Sequence, residues 1–314
     1  MAYHPRVETS KIATFQTTRS RNSELWFVNN LVLERQILGY AAKYKKSYSV
    51  KIYALAVEGN HIQFPALFRK GNRAHFMRDF NSSVARAVAR EQVRYPGGRF
   101  WGRRYSAEFL PGAEDIEEQF FYTVLQPVQD GLVDDITEYP GYNCFEDAIT
   151  GAVRKYPVVS YKRFNDARRW DKTVRIEDFT EYHELEYERI PGYEHLTKSE
   201  YEAQFRFKLR ARTAQILADR KGKRPLGKHA LKKVRPGSRP IATATTGRYE
   251  NRPRVLSIDD ARRADGKAWY FSIYFKYKET SKEYRAGKTA VIFPEGTYKP
   301  PLFTVVCEDD INQL

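Results

Sequence analysis

The segment Gly59-Asn60-His61-Ile62-Gln63-Phe64 carries the pattern on which the fold and the chemistry of this chain depend. Successive side chains of an extended strand point to opposite faces of a sheet. His61 and Gln63 therefore project together, while Ile62 and Phe64 face the other side, toward a core. An imidazole and an amide side by side could act as two neutral ligands of a divalent ion such as Mg²⁺ or Mn²⁺. The alternative is an ordinary hydrogen-bonded histidine near a strand end.

Outward from that segment, hydrophobic periodicity predicts alternating strands and helices. Val50–Val57 is almost continuously apolar, so we expect a central strand buried on both faces. Pro65 cannot donate a ladder hydrogen bond, so we expect His61–Phe68 at a sheet edge or a bulge. The other predicted elements are a strand at 11–19, a helix from Asn29-Asn30 to Tyr48, a helix at 74–94, an extended segment at 100–110 and a helix at 114–128.

This alternation predicts a compact α/β or α+β domain over about residues 10–150. We therefore divide the chain into a domain at 1–150 and a C-terminal extension at 151–314. Within the extension, Tyr182–Leu217 is partly helical in pattern, and Ala268–Tyr277 alternates like a strand. A helix through Glu279–Ala286 would complete a small terminal α/β segment.

The 314 residues are 41% apolar, enough for a sizeable core, and carry a formal net charge of +15. A largely disordered chain is excluded, and no apolar run approaches the ~20 residues of a membrane span. So basic a chain is expected to bind a polyanion, nucleic acid first and an acidic membrane second. Cys144 and Cys307 cannot build a disulfide framework, and residues 1–11 lack the apolar stretch of a secretory signal. We therefore expect a cytoplasmic location.

The positive charge is unevenly distributed along the chain. Residues 105–150 hold 11 acidic and no basic residues, whereas residues 205–254 hold 16 basic and 2 acidic ones. The latter segment is rich in Gly, Pro, Ser and Thr, so we expect a basic arm that is largely loop. It could contact nucleic-acid phosphates, and the alternative is a solvated, flexible connector. The candidate phosphate-binding residues of the arm are Lys221, Lys223, Arg224, Lys232 and Lys233.

Two polar side chains share one face of the helix at 114–128. Apolar residues cover half of that helix, and Tyr122 and Gln126 lie one turn apart on the other half. A tyrosine beside an amide, near the pair His61 and Gln63, suggests a nucleophile next to a third metal ligand. The alternative is an ordinary surface tyrosine, because the chain has 22 of them. Pro127 should kink or end the helix after Gln126.

Three motifs in this chain occur in a familiar order: residues 59–64 as quoted, then Phe100-Trp101-Gly102-Arg103-Arg104-Tyr105, then Phe121-Tyr122-Thr123-Val124-Leu125-Gln126-Pro127-Val128 with Gln129-Asp130-Gly131-Leu132-Val133. Together they resemble the single-tyrosine HUH transposases, which include the REP-associated tyrosine transposases. Thr17-Thr18-Arg19 is similar to the end of the family's first strand, and residues 291–298 are similar to the tail of longer bacterial members. The resemblance is strong over 50–142 and weak over 151–290.

The resemblance implies an α+β fold of HUH-endonuclease type, with helices packed on an antiparallel, ferredoxin- or RRM-like sheet. It also implies that Tyr122 attacks a phosphodiester of single-stranded or hairpin DNA, leaving a 5′-phosphotyrosine and a free 3′-hydroxyl. Mg²⁺ or Mn²⁺ would be held by His61, Gln63 and Gln126. The family's second motif histidine is replaced by Gln63, a weaker, uncharged ligand.

The resemblance further implies a homodimer that binds DNA and associates with the nucleoid in the cytoplasm. The side chains that could hold the DNA backbone or stack on unpaired bases are Arg19, Arg86, Arg90, Arg94, Trp101, Arg103, Arg104 and Tyr105. Two alternatives stay open. The chain could be a catalytically degenerate relative that binds hairpin DNA without cutting it, or an RNA-binding protein that uses the basic arm.

Overall fold

The computed structural model describes residues 5–240 and 254–301. The strands in those ranges are β1 (Ala13–Arg19), β2 (Val50–Ile52), β3 (Ala56–Val57), β4 (His61–Phe68), β5 (Ser106–Leu110), β6 (Arg154–Val159) and β7 (Thr180–Leu185). The helices are α1 (Leu31–Tyr48), α2 (Arg73–Glu91), α3 (Ala113–Gln129), α4 (Phe145–Thr150), α5 (Tyr161–Trp170), α6 (Lys198–Asp219), α7 (Lys228–Lys232) and α8 (Asp260–Arg285).

The main sheet has the order β2-β4-β1-β5, with β3 also paired to β4, and all its strand pairs are antiparallel. β6 and β7 form a separate two-stranded antiparallel sheet, and α5 lies in the connection between them. Helices and antiparallel strands thus alternate along the chain without parallel crossover pairs among these strands. This confirms the predicted α+β class and excludes the α/β alternative.

The expected positions of two strands in the sheet were wrong. The segment 50–57 is not one central strand: it splits into the short β2 and β3, which lie at the sheet edge, while β4 is internal. Pro65 explains both errors. Its carbonyl accepts from Tyr53 N at 3.0 Å, so the missing N–H of Pro65 faces the gap between β2 and β3. An internal strand tolerates a proline where its neighbour is interrupted.

Strand register assigns side chains to the two faces of the sheet. Arg19 pairs with His61, Thr17 with Gln63, and Phe15 with both Pro65 and Glu108. Because directly paired residues share a face, these side chains lie on one side, against α3. Alternate residues face the other side, where Phe64 contacts Phe76 and Phe80 of α2 at ring distances of 5.9 and 6.1 Å.

The first three helices form where the sequence predicts them. Asn30 caps α1 by accepting from Leu33 N at 3.0 Å. The predicted apolar stripe of α2, which includes Met77 and Val84, is fully buried. α3 begins with Gly112 N donating to the Asp115 carboxylate at 2.8 Å. Pro127 lies inside α3 and does not end it, because the helix continues to Gln129, one residue beyond the predicted end at 128.

The residues after 150 pack on the sheet domain. The β6–β7 sheet lies against α1. A Cβ on Gly39 would come within 2.7 Å of the Pro157 carbonyl oxygen, so this close approach requires glycine. α6 lies against α3, and the Phe205 ring stacks on Phe121 at 5.6 Å with an 18° interplanar angle. One continuous hydrophobic core therefore includes residues from both sides of the predicted boundary at 150.

The strand expected at Ala268–Tyr277 is wrong, because this segment lies within the long helix α8. The aromatic residues alternate with other residues in the sequence, which suggested a strand. In the structure, Trp269, Ile273 and Tyr274 have helical spacing and pack against a small core that includes Phe109 and Tyr270. Just before α8, Phe109 N donates to Arg254 O at 2.8 Å and Leu256 N donates to Phe109 O at 2.9 Å. This short parallel pairing covers the outer edge of β5.

The basic arm is more ordered than expected. Residues 205–219 belong to α6, and residues 220–240 dock on the core, where Leu226 N and Gly227 N each donate to a carbonyl after α3 at 2.9 Å. Residues 241–253 of the predicted arm lie outside the described residues. None of the described helices is long and apolar enough to cross a membrane.

Candidate functional site

The imidazole of His61 is held in one orientation at the start of β4. The side chain is buried, with 5% of its surface exposed. Its Nδ1 lies 2.8 Å from Asn60 Oδ1, and its Nε2 lies 3.1 Å from Gln126 Nε2. Nδ1 therefore carries the proton and Nε2 presents a lone pair, the tautomer in which a histidine can bind a metal through Nε2.

The three predicted ligands meet between β4 and α3. Gln63 Nε2 donates to Gln126 Oε1, and Gln126 in turn donates to His61. All three side chains are buried. Burial and the nearby Arg19 lower the pKa of His61 to about 3, against a hydrogen bond from Gln126 that raises it. The imidazole is therefore neutral at physiological pH and its Nε2 is available as a ligand.

Tyr122 lies on α3 four residues before Gln126, about one helical turn or about 6 Å along the helix axis. Its ring meets Phe15 edge-on at 5.7 Å, on the face of the sheet that carries His61 and Gln63. The side chain is 38% exposed, so a large substrate can reach it. Partial burial and then the charge of Asp130 raise its pKa, while Arg19 lowers it. A phenol in this state needs an added cation to become a good nucleophile.

Two acidic residues of this site were missed by the sequence analysis. Asp130 accepts from Gln126 Nε2 at 3.4 Å, and partial burial raises the pKa of its carboxyl. Burial also raises the pKa of Glu58 to about 8, with a hydrogen bond from Tyr139 opposing the shift and Asp130 adding to it. Asp130 follows Tyr122 and Gln126 at four-residue spacing, a helical signal present in the sequence. Glu58 had no such signal, because its burial depends on tertiary packing.

The donor set fits a hard divalent cation. It offers a bare imidazole nitrogen, two amide oxygens that turning the side-chain amides can present, and the nearby carboxylate of Asp130. Desolvation by burial is the main cause of the raised pKa values of Glu58, Tyr122 and Asp130, so a bound cation would favour their ionised forms. Within residues 5–240 and 254–301, no group of three or more His, Cys, Asp or Glu side chains could hold a metal ion. The candidate set described here is of a different kind, because two of its ligands are amides.

The other predicted nucleic-acid-binding residues lie in different places. Arg19 belongs to the site just described. Arg86 donates to Ser82 and Ser83 of its own helix, Arg90 lies 3.8 Å above the ring of Tyr161, and Arg94 is exposed after α2. The five candidate phosphate-binding residues of the arm are exposed on the segment docked against the core: Lys221, Lys223, Arg224, Lys232 and Lys233. A separate cavity, here called the basic cavity, is lined by Trp101, Arg103, Arg104 and Tyr105 among others.

Glu108, on the same face as Tyr122, makes the stability of the fold depend on pH. Burial raises its pKa to about 7, so the folded protein resists its ionisation and loses stability as pH rises from about 4.5 to about 7. We expect Glu108→Gln to remove this loss. Relative to the wild type, the variant should gain about 3 kcal/mol of unfolding free energy between about pH 4 and pH 8.5. Denaturant titrations of both proteins at the two pH values would check this, and an equal pH dependence in both would contradict it.

Comparisons with other proteins establish no family for this chain. No protein-family model matches the sequence, and no curated protein matches it. Among solved structures, a REP-associated tyrosine transposase bound to a REP hairpin is similar at 19% identity and a TM-score of 0.39, over 46% of this chain and 84% of that chain. The tRNA(His) guanylyltransferase from Saccharomyces cerevisiae is similar at 11% identity and a TM-score of 0.33, over 71% of this chain and 83% of that chain. Scores this low do not define a common fold.

Proposed function

We propose that this protein is a metal-dependent nickase and strand transferase that cleaves single-stranded or hairpin DNA through a covalent bond to Tyr122. The observation that carries the proposal is the meeting of His61, Gln63 and Gln126 one helical turn from Tyr122, all on one side of the sheet. These are the four residues to which the sequence motifs assign ligation and nucleophilic attack. A histidine with only a structural role would not explain why an accessible tyrosine lies on the same side of the sheet.

The proposed reaction is a transfer of a phosphoryl group between two oxygens. The Tyr122 hydroxyl oxygen attacks phosphorus, a new O–P bond forms, and the bond from phosphorus to the 3′ oxygen breaks. The phenol proton passes to Asp130, the carboxylate whose charge acts most strongly on Tyr122, and then to the departing 3′ oxygen. The products are a 5′-phosphotyrosine and a 3′-hydroxyl. The covalent bond conserves the phosphodiester, so the reverse attack can rejoin DNA without ATP.

The residues around Tyr122 have distinct tasks in this proposal. His61, Gln63 and Gln126 would hold Mg²⁺ or Mn²⁺, which would polarise the scissile phosphate. Arg19 lies close enough to lower the pKa of Tyr122, and it stabilises negative charge on the phenol oxygen and the phosphate. The Asn60 side chain fixes the His61 tautomer by accepting from Nδ1. Burial of the three ligands excludes water from one side of the reacting phosphate.

The direct test is covalent capture of DNA. The purified protein would be incubated with Mn²⁺ and a hairpin oligonucleotide carrying a 3′ label, because the 3′ fragment is the one retained on tyrosine. A labelled protein band that survives denaturation is expected, and its formation should stop when EDTA removes the metal. Tight binding without an adduct in Mg²⁺, Mn²⁺ or Co²⁺ would reject the nuclease.

That second outcome would favour a hairpin-DNA-binding protein without cleavage activity. The ligand set supports this candidate, because Gln63 and Gln126 are uncharged and contact each other. An uncharged amide pair holds Mg²⁺ less strongly than carboxylates do. The homodimer and the nucleoid association expected from the sequence belong to either candidate.

Restoring an imidazole at position 63 separates the two candidates further. We expect Gln63→His to retain or raise adduct formation, with half-maximal activity at about ten-fold less Mn²⁺, because a second imidazole binds transition metals more tightly than an amide. Calorimetric titration of Mn²⁺ gives a second readout. The control is Gln215→His, which adds the same imidazole on the exposed part of α6. Loss of cleavage while Mn²⁺ still binds as it does to the wild type would show that Gln63 is not a ligand of the reactive ion.

A further inference from the structure

The basic cavity lies on the α2 side of the sheet and has a volume of about 690 Å³. Among the described residues, its lining contains five arginines, several aromatic rings and no acidic side chain. The residues that matter most for the ligand are Arg6, Asn81, Trp101, Arg103, Arg104 and Tyr105. The N-terminal segment supplies Arg6 and the C-terminal segment supplies Tyr298. The two segments are joined by Glu8 N donating to Gly296 O at 2.8 Å.

Three buried polar atoms of this lining have no hydrogen-bond partner among residues 5–240 and 254–301. They are the hydroxyl of Tyr105, Oδ1 of Asn81 and Nε of Arg6. A buried polar group without a partner costs free energy, and such groups are rare in folded proteins. Three of them around one cavity indicate that a ligand completes the hydrogen bonding there. Asn81 Oδ1 requires a donor, whereas Arg6 Nε requires an acceptor.

The electrostatics of the cavity specify an anion. Partial desolvation and the positive charges of Arg6 and Arg254 lower the pKa of the Arg104 guanidinium. Arg103 is exposed beside it. Arginines that repel one another at a concave surface are typical of phosphate-binding sites.

The aromatic rings specify the rest of the ligand. Trp101 is fixed by its Nε1 donating to Asn81 O at 2.9 Å, and Tyr298 meets His75 edge-on at 6.4 Å. Rings beside arginines form stacking platforms for nucleobases. A base with an exocyclic amine also supplies the donor that Asn81 Oδ1 requires.

We propose that this cavity binds an unpaired nucleotide of single-stranded DNA, with its phosphate on Arg103 and Arg104 and its base against Trp101, Tyr105 and Asn81. The inference rests on the proposed function for the identity of the polymer. The cavity adjoins the end of β1, because Gly102 N donates to Arg19 O at 3.0 Å. A strand bound in the cavity can therefore continue past Arg19 toward Tyr122.

The test measures binding without cleavage, on the full-length Tyr122→Phe protein. The probe is a single strand of about eight nucleotides with one central 2-aminopurine, whose fluorescence is quenched when it stacks. We expect saturable quenching. A strand of the same length with an abasic site in place of the 2-aminopurine, used as a competitor, should bind about ten-fold more weakly.

Substitutions in the cavity give the second measurement. Tyr105→Phe removes only the hydroxyl and should weaken binding about five-fold. Arg103→Gln with Arg104→Gln should lower the slope of log affinity against log salt by about 1.4, which is the value for two phosphate contacts on a single strand. Arg169→Gln, an exposed arginine of α5 outside the cavity, is the matched control and should change neither quantity beyond the loss of one distant charge.

Several results would overturn the proposal. One is equal binding of the abasic and 2-aminopurine strands, and another is complete displacement by inorganic phosphate with no preference for the base. A third is unchanged affinity in both cavity variants with unchanged thermal stability. Preference for RNA of the same sequence would overturn the assignment to DNA. Because adduct formation is measured separately, loss of cleavage with an intact cavity response rejects only the nuclease, and the reverse result rejects only the cavity.

Discussion

A Tyr122→Phe protein is expected to form no covalent adduct with DNA while binding it as tightly as the wild type does. The substitution removes one oxygen and leaves the ring, so the edge-on contact with Phe15 at 5.7 Å is preserved. Because the substitution removes the proposed nucleophile, the labelled band should fall below detection, at least a thousand-fold under the wild type. The measurement is the same denaturing gel used for the wild type, with binding followed in parallel by fluorescence anisotropy.

The matched control for this prediction is Tyr182→Phe. Tyr182 is 67% exposed on β7 and lies outside the candidate site. It should form adduct at the wild-type rate. If Tyr122→Phe still captures DNA and another tyrosine is found in the labelled peptide, the proposed nucleophile is wrong even though the protein is a nuclease.

A Phe205→Ala protein is expected to lose about 4 kcal/mol of unfolding free energy. Phe205 is fully buried and touches Phe120, Phe121 and Tyr201 at ring distances of 5.5, 5.6 and 4.2 Å. Removing its ring leaves a cavity between α6 and α3. Because Phe121 directly precedes Tyr122, adduct formation should also slow as α3 loses support. Denaturant unfolding followed by circular dichroism measures the first effect.

Phe207→Ala is the control, because Phe207 is on the same helix and 71% exposed. It should change the unfolding free energy by less than about 0.5 kcal/mol. Equal losses in the two variants would show that α6 contributes through its helix stability and not through packing on α3. A wild-type unfolding free energy in Phe205→Ala would contradict the continuous core.

The candidate site could be predicted largely because its residues lie on single regular elements. His61 and Gln63 are two apart on a strand, and Tyr122 and Gln126 are four apart on a helix, so local periodicity places each pair on one face. The meeting of the two pairs required the motif order, and the structure places them together. The cation, the nucleophilic role of Tyr122 and the DNA contacts are still predictions.

The errors arose where tertiary packing overrides local pattern. An apolar run such as 50–57 is compatible with an edge strand when helices cover it, and Pro65 is tolerated inside a sheet because the neighbouring strand breaks opposite it. The alternating aromatic residues at 268–277 are compatible with a helix as well as with a strand. The length of the segment and the N-cap at Asp259 favour the helix. The buried acid Glu58 and the unpaired atoms of the basic cavity depend on contacts between distant segments.

The pairing of residues 254–256 along β5 restricts how two copies of this protein can associate. Phe109 already exchanges backbone hydrogen bonds with Arg254 and Leu256, so its N–H and C=O groups are not available to a strand from another molecule. A dimer that joins two sheets at their β5 edges would first have to detach residues 254–256. Self-association therefore has to proceed through side-chain surfaces or through the opposite border of the sheet, and a swap of segment 254–256 between copies would leave the Phe109 hydrogen bonds intact.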